Sequence, residues 1–384
     1  MFFELAEEQR IIRDSVRRFA QKRIAPIQEE DEKSGIFRRE IVSEMGKLGF
    51  FGGVIPEKYG GTNIGFLSSI IIVEEIARVS ASYASFHVSQ TVGPGLAILK
   101  RGTENQKDKY LPGLVSGDLI GCFAATEPDA GSDVASMQMT AAKTGEGFVL
   151  NGTKTWITNA PVADIGLIFA CTDIEKKHKG ISCFIVDMKN TPGLNTSHID
   201  KLGLSCTVTG EISFGDVQVS SETLLGNLGE GFKILMEMLN NTRLFAAARA
   251  LGVGGACLEE SLRYSKKRQQ FGKSISEFQM IQNQIVEMYI EHEASKLLVY
   301  HAASNKDNGK HDPIEVSTAK YFACEAATKA ADMALRIHGS YGFSMDYPIQ
   351  RYIRDSRAFN ITEGTSNIQK VIIARHLLVP SKME

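Results

Sequence analysis

Glu363 stands in the run Ile361-Thr362-Glu363-Gly364-Thr365-Ser366, a carboxylate followed by a glycine and two hydroxyl residues ahead of the apolar stretch Ile368 to Leu378. Hydroxyl residues there suit the capping of a helix, and a carboxylate oriented beside them could abstract a proton. A Glu at a helix N-terminus also complements the helix dipole, so the local sequence leaves both roles open. Three other segments could carry chemistry. Cys122 to Asp133 places small residues, hydroxyls and Gly131 at the end of an expected strand. Such a segment lets backbone N–H groups approach a flat or anionic ligand, although an ordinary turn has the same composition. Trp156-Ile157-Thr158-Asn159-Ala160 holds the single tryptophan, which by composition reads as core filling. Arg268-Gln269-Gln270-Phe271-Gly272 follows Lys266-Lys267 at the end of a long helical run. That pattern suits a solvated helix end or phosphate binding.

These segments need elements to position them. A chain of 384 residues with 43% hydrophobic and 23% charged content has the make-up of a globular enzyme of two or three packed units. The formal charge of -2 gives no global pull toward nucleic acid or an anionic membrane. No apolar run is long enough for a membrane span, and no metal-spaced Cys/His cluster is present. The start carries acids from Glu4 onward and shows neither a signal peptide nor a typical transit peptide. The six cysteines lack a CxxC pair and read as buried thiols, so a cytoplasmic setting is expected.

Periodicity divides the chain into an α+β protein of three parts, 1–118, 119–228 and 229–384. The first is helical, with helices expected at 38–49, 66–80 and 83–101. The second alternates short apolar segments with turns, and Asn151-Gly152 predicts a hairpin turn between two of them. The third returns to helical spacing over 229–269, 276–307, 314–338 and 364–379. Gly252-Val253-Gly254-Gly255 superficially matches a dinucleotide fingerprint, but it falls in an expected helix with no strand before it.

In this order the motifs closely resemble the acyl-CoA dehydrogenase family, from about residue 4 to residue 379. The family's TEP-x-x-GSD, W-I-T-N, R-x-x-FG and late EGT stretches are all met, by Thr126 to Asp133, Trp156 to Asn159, Arg268 to Gly272 and Glu363 to Thr365. The resemblance implies an N-terminal helical domain, a middle β-barrel and a C-terminal four-helix bundle, assembled as a homotetramer with bound FAD. It implies that Phe123, Ala125, Thr126 and Ser132 line the flavin, with Trp156 and Thr158 at its outer edge. Arg268 and Phe271 would reach the FAD diphosphate of a neighbouring subunit, while Thr365 and Asn367 would hold its adenylate part at a helix N-terminus. Ser132, Asn240 and Arg243 would contact the CoA moiety, and Thr362 and Gly364 would flank the acyl group.

The implied reaction removes two hydrogens from adjacent carbons of an acyl-CoA, giving the 2,3-enoyl-CoA, with Glu363 as base. Electron-transferring flavoprotein is the implied acceptor. Some branches carry the base on the helix around residue 242, but Thr242 cannot act as one, which argues against an isovaleryl-type substrate. Ala84 stands where the glutaryl branch has an arginine for a distal carboxylate, and Ala77 replaces an acid expected in that branch, so glutarate is not expected. Thr362 replaces a tyrosine common in relatives, which removes bulk beside the reacting carbons. An alicyclic or α-branched acyl group such as cyclohexanecarboxyl is therefore expected ahead of butyryl. Arg336 and Ser340 stand where relatives often have glutamine and glycine, and Thr91 lies in a pocket segment that could hold a second base. His338 reads as structural. A flavin oxidase would be expected to carry a longer C-terminal section, and a DNA-associated flavin protein a basic extra domain.

Overall fold

The structure is a computed structural model, and it describes residues 4–145, 147–310 and 312–378. The first part folds into helices α1 (Glu7–Phe19), α2 (Gln28–Ser34), α3 (Arg39–Lys47), α4 (Gly65–Ala77), α5 (Ala81–Ala84), α6 (Leu96–Arg101) and α7 (Glu104–Ser116). The expected helix over 83–101 is interrupted. Between α5 and α6 the chain runs as a π-helical segment, Val88–Gly95, containing Pro94, which has no N–H to give to an α-helical ladder. Helix α7, not expected, has its own start signal: Thr103 Oγ1 accepts from Gln106 N–H and the Gln106 side chain accepts from Thr103 N–H.

The middle part is a curled, mixed seven-stranded sheet: β1 (Gly121–Ala124), β2 (Thr140–Thr144), β3 (Gly147–Thr158), β4 (Ile165–Cys171), β5 (Ile181–Asp187), β6 (Leu194–His198) and β7 (Thr209–Ser220). Strand β4 pairs with β5 on one edge and with β1, and at Cys171 with β2, on the other. The sheet continues through β3 and β7 to β6. Among the described residues β5 and β6 do not pair with each other, so the expected barrel is an open curl. The expected hairpin at Asn151-Gly152 is also corrected. Both residues lie inside β3, at a shift in its register with β7. Asn151 trades hydrogen bonds with Asp216, accepting from its N–H at 2.8 Å and donating to its carboxylate at 3.0 Å, which turns local turn chemistry into a cross-strand clamp.

The last part comprises α8 (Gly231–Lys267), a two-strand ribbon of β8 (Gln269–Gln270) and β9 (Lys273–Ser274), then α9 (Gln279–Asp307), α10 (Pro313–His338), α11 (Ile349–Phe359) and α12 (Ser366–Leu378). Among the described residues this part holds five α-helices, one more than the four runs expected. The addition is α11, an amphipathic helix that leads directly into the Glu363 loop. The last helix was expected to reach residue 379, which lies outside the described residues. Gly252 sits on α8, where a Cβ would come within 2.4 Å of the Glu74 carbonyl, so the glycines there serve close packing of α4 on α8. Asp307, at the end of α9, accepts the free N–H groups of Phe66 and Leu67 at the start of α4. Through these contacts the first and last parts share one core.

Candidate active site

Glu363 occupies the loop between α11 and α12 in left-handed backbone conformation, φ 58, and Gly364 follows at φ 86. A carbon side chain rarely adopts that region, so the loop needs external restraint. Three helices supply it through carbonyl oxygens. Arg243 Nε on α8 donates to the Glu363 carbonyl at 3.3 Å, while Lys320 Nζ on α10 and Gln369 Nε2 on α12 each donate to the Gly364 carbonyl at 2.8 Å. The Glu363 carboxylate accepts the Thr242 hydroxyl at 2.5 Å. Its N–H has no acceptor among the described residues, which leaves one backbone donor free beside the carboxylate.

Thr365 caps α12, its Oγ1 accepting the Ile368 N–H at 3.2 Å, and Asn367 is exposed in the first turn. The Thr362 hydroxyl is buried without a hydrogen-bond partner. Arg243 is itself buried, and burial pushes its guanidinium below the ordinary value while Glu363 acts against that. Asn240 presents a buried, unpartnered side-chain oxygen one helical position before Asn241, which Lys306 holds at 2.8 Å. The Thr91 hydroxyl donates to the Phe51 carbonyl at 2.9 Å, which ties that side chain to the backbone rather than leaving it as a base.

The second half of the site is the edge of the sheet. Lys154 on β3 is fully buried and donates to the Glu127 carboxylate at 2.7 Å and to the Ala125 carbonyl at 3.1 Å. Burial pushes its ammonium down to about 8, with Glu127 opposing the fall. Glu127 also accepts the N–H groups of Gln138 and Met139, so the segment after β1 is fixed from beneath. The Thr155 N–H donates to the Thr126 carbonyl at 3.0 Å and brings Trp156 alongside that segment. Trp156, at φ 59 in a shift of register, turns its indole outward and leaves it 59% exposed. Phe123 and Thr158 are half-buried, Ala125 is buried and Ser132 is exposed. Asn159 Nδ2 anchors the end of β3 to Ser89 Oγ at 2.8 Å.

The outward indole beside the strand end has no ring partner among the described residues and leaves an apolar face open at this edge. Arg268 is the exposed residue that ends α8, and Phe271-Gly272 form the tight turn of the β8–β9 ribbon at φ 51 and 79, with Phe271 93% exposed. Sequence reasoning missed Lys154, Lys320 and Gln369 and the Thr242 contact with the Glu363 carboxylate, although Lys154 and Glu127 lie within or beside the Trp156 and Thr126 motifs and Gln369 follows the Glu363 motif. His338 is buried, bonded to the Ala334 carbonyl and stacked on Tyr264 at 4.2 Å.

Comparison with known proteins agrees with this arrangement. Residues 6–118, 122–217 and 229–378 match the models of the acyl-CoA dehydrogenase N-terminal, middle and C-terminal domains. The chain is 43% identical over 378 residues to a glutaryl-CoA dehydrogenase of Desulfococcus multivorans, covering 97% of each. It superposes with a TM-score of 0.97 and 40% identity on a chain solved with the electron transferring flavoprotein of Acidaminococcus fermentans as its subject, covering 99% of this chain and 100% of that one. A structure of PigA with FAD and proline matches at TM-score 0.95 and 32% identity, covering 98% and 99%. Among the described residues no helix is long and apolar enough to cross a membrane. The chain belongs to the acyl-CoA dehydrogenase family of flavin-dependent oxidoreductases.

Proposed function

We propose that the protein removes the α-proton and the β-hydrogen of an acyl-CoA thioester to give the 2,3-enoyl-CoA, with Glu363 as the base. The observation that carries this reading is the Glu363 loop: a carboxylate held by Thr242 on a strained backbone, with a free N–H next to it. An α-proton beside a thioester is weakly acidic, so its removal needs an oriented base together with a donor at the carbonyl oxygen where charge develops. Glu363 supplies both, its carboxylate taking the proton and its N–H facing the carbonyl. FAD, when bound, supplies the acceptor for the β-hydride. Phe123, Ala125, Thr126, Ser132, Trp156 and Thr158 would hold its ring, Thr365 and Asn367 its adenylate part. Arg268 and Phe271 would reach the diphosphate from a second subunit, for which their exposure speaks. Ser132, Asn240 and Arg243 would hold CoA, although Arg243 already spends Nε on the base loop.

The acyl group is alicyclic or α-branched. Thr362 and Gly364 flank the base with little bulk of their own, which is what supports this reading. A homotetramer in the cytoplasm that passes electrons to electron-transferring flavoprotein, built from units 1–118, 119–228 and 229–384, completes the reading. Oxygen-free flavin bleaching by cyclohexanecarboxyl-CoA and by butyryl-CoA tests the substrate. Faster bleaching by the cyclic thioester is expected, and far faster bleaching by butyryl-CoA overturns the substrate reading alone.

A further inference from the structure

Arg249 is a buried cation without an ion-pair partner among the described residues. It is 4% exposed and lies on α8 seven residues, two turns, beyond Thr242, on the stripe of the helix that touches Glu363. Seven residues correspond to about 10 Å along a helix axis. Of its five N–H donors, one bond is made among the described residues, from Nη1 to Ser85 Oγ at 2.7 Å. Nε is buried and unpartnered, and among the described residues no carboxylate lies within ion-pair range. The Phe359 ring faces the guanidinium at 5.8 Å. Burial pushes Arg249 below its ordinary value, and the Glu363 carboxylate, too far for an ion pair, is the leading group that opposes the shift.

Burying a guanidinium without a counter-ion is costly, and such a group persists where a ligand completes it. Its planar donors match a carboxylate better than any neutral acceptor. The surroundings also lead from it to the Glu363 loop. Ser85 ends α5, Phe359 ends α11 four residues before the base, and Thr242 on the same helix face holds the base itself. The expectation against a distal carboxylate rested on Ala84 and Ala77; Arg249 reaches Ser85, the next residue after Ala84, from the facing helix.

We propose that Arg249 determines specificity by binding a second carboxylate on the acyl group, so that the preferred substrates are mono-CoA thioesters of dicarboxylic acids. This rests on the dehydrogenase reading above. It deepens the view of a roomy acyl site by naming the group at its far end. Arg249 acts on binding, and the α-proton still goes to Glu363.

Matched pairs test it: butyryl-CoA against glutaryl-CoA, valeryl-CoA against adipyl-CoA, and cyclohexanecarboxyl-CoA against the mono-CoA thioesters of 1,2- and 1,3-cyclohexanedicarboxylate. Binding is measured by calorimetry on the flavin-loaded Glu363→Gln variant, and flavin reduction on the wild type. In at least one pair the acid-bearing thioester binds about 10- to 100-fold more tightly, as charge-assisted hydrogen bonds to a buried partner imply. Arg249→Lys and Arg249→Met then bring that ratio toward one, moving KM more than kcat. Preference for the neutral member in every pair overturns the proposal, as does an Arg249→Lys variant that weakens both members equally. If either variant fails to fold, the wild-type pairs decide. If no thioester bleaches the flavin while the acid-bearing ones still bind more tightly, the dehydrogenase reading fails and the Arg249 site stands.

Discussion

The loop that carries Glu363 and the sheet edge that carries Trp156 are held in opposite ways. At the loop, Arg243, Lys320 and Gln369 grip the carbonyls of residues 363 and 364, and Thr242 grips the carboxylate. At the edge, the buried Lys154–Glu127 pair supports the backbone from beneath while the indole above it stays open. The Glu363 carboxylate and its loop are therefore positioned by this chain's own side chains, each on a helix, which is the kind of preorganisation the proposed base requires. The edge is a platform with an exposed outer face.

Glu363→Gln breaks the comparison most sharply: it keeps the loop's carbonyl contacts and the platform, so flavin content stays while flavin reduction falls by roughly 10²- to 10⁴-fold. Lys154→Met attacks the platform instead. It leaves Glu127 buried without its partner and costs about 3–5 kcal/mol in urea unfolding, and a Lys154→Met/Glu127→Gln double variant loses less than the sum of the two. Arg268→Lys, on the exposed ribbon, leaves unfolding unchanged but weakens FAD retention about tenfold through loss of the planar donor fork, as read by equilibrium dialysis. Thr242→Val releases the carboxylate while preserving shape, and slows flavin reduction about tenfold without loss of FAD.

The smallest effect lies away from both regions. Burial pushes the Asp355 carboxyl up to about 7, with Glu32 adding to the rise and the Leu204 N–H, Arg351 and Arg354 opposing it. The folded protein therefore holds a proton there that the unfolded chain has released above about pH 4. That contribution to stability is present below this value and is lost as pH rises toward 7. Asp355→Asn removes this part of the slope from unfolding measured across the window.

Much of the fold is legible where periodicity runs long, as in α8 through α10. It fails where tertiary pairing outweighs local chemistry. Asn151-Gly152 has turn residues, yet Asp216 captures its side chain across the strands. Pro94 lies within an apolar run that reads as one helix, and the backbone answers with a π-helical segment. Within the site, Glu363 is legible because its neighbours form a compact motif. Its supports are legible only through the resemblance, which draws attention to Thr242 and Arg243; they lie about 120 residues upstream, and nothing local marks their contacts with Glu363. The same holds for Arg249, which reads as one more charge on a long helix until its burial is seen.

The central claim is that this chain binds a flavin and uses Glu363 to begin oxidation of an acyl thioester. The visible spectrum of the purified protein, taken without oxygen before and after adding the acyl-CoA series, tests it most directly. A yellow protein that bleaches with a thioester, and a Glu363→Gln variant that stays yellow, is the predicted result. A wild-type protein that carries no flavin, or a variant that bleaches as fast as wild type, would contradict it.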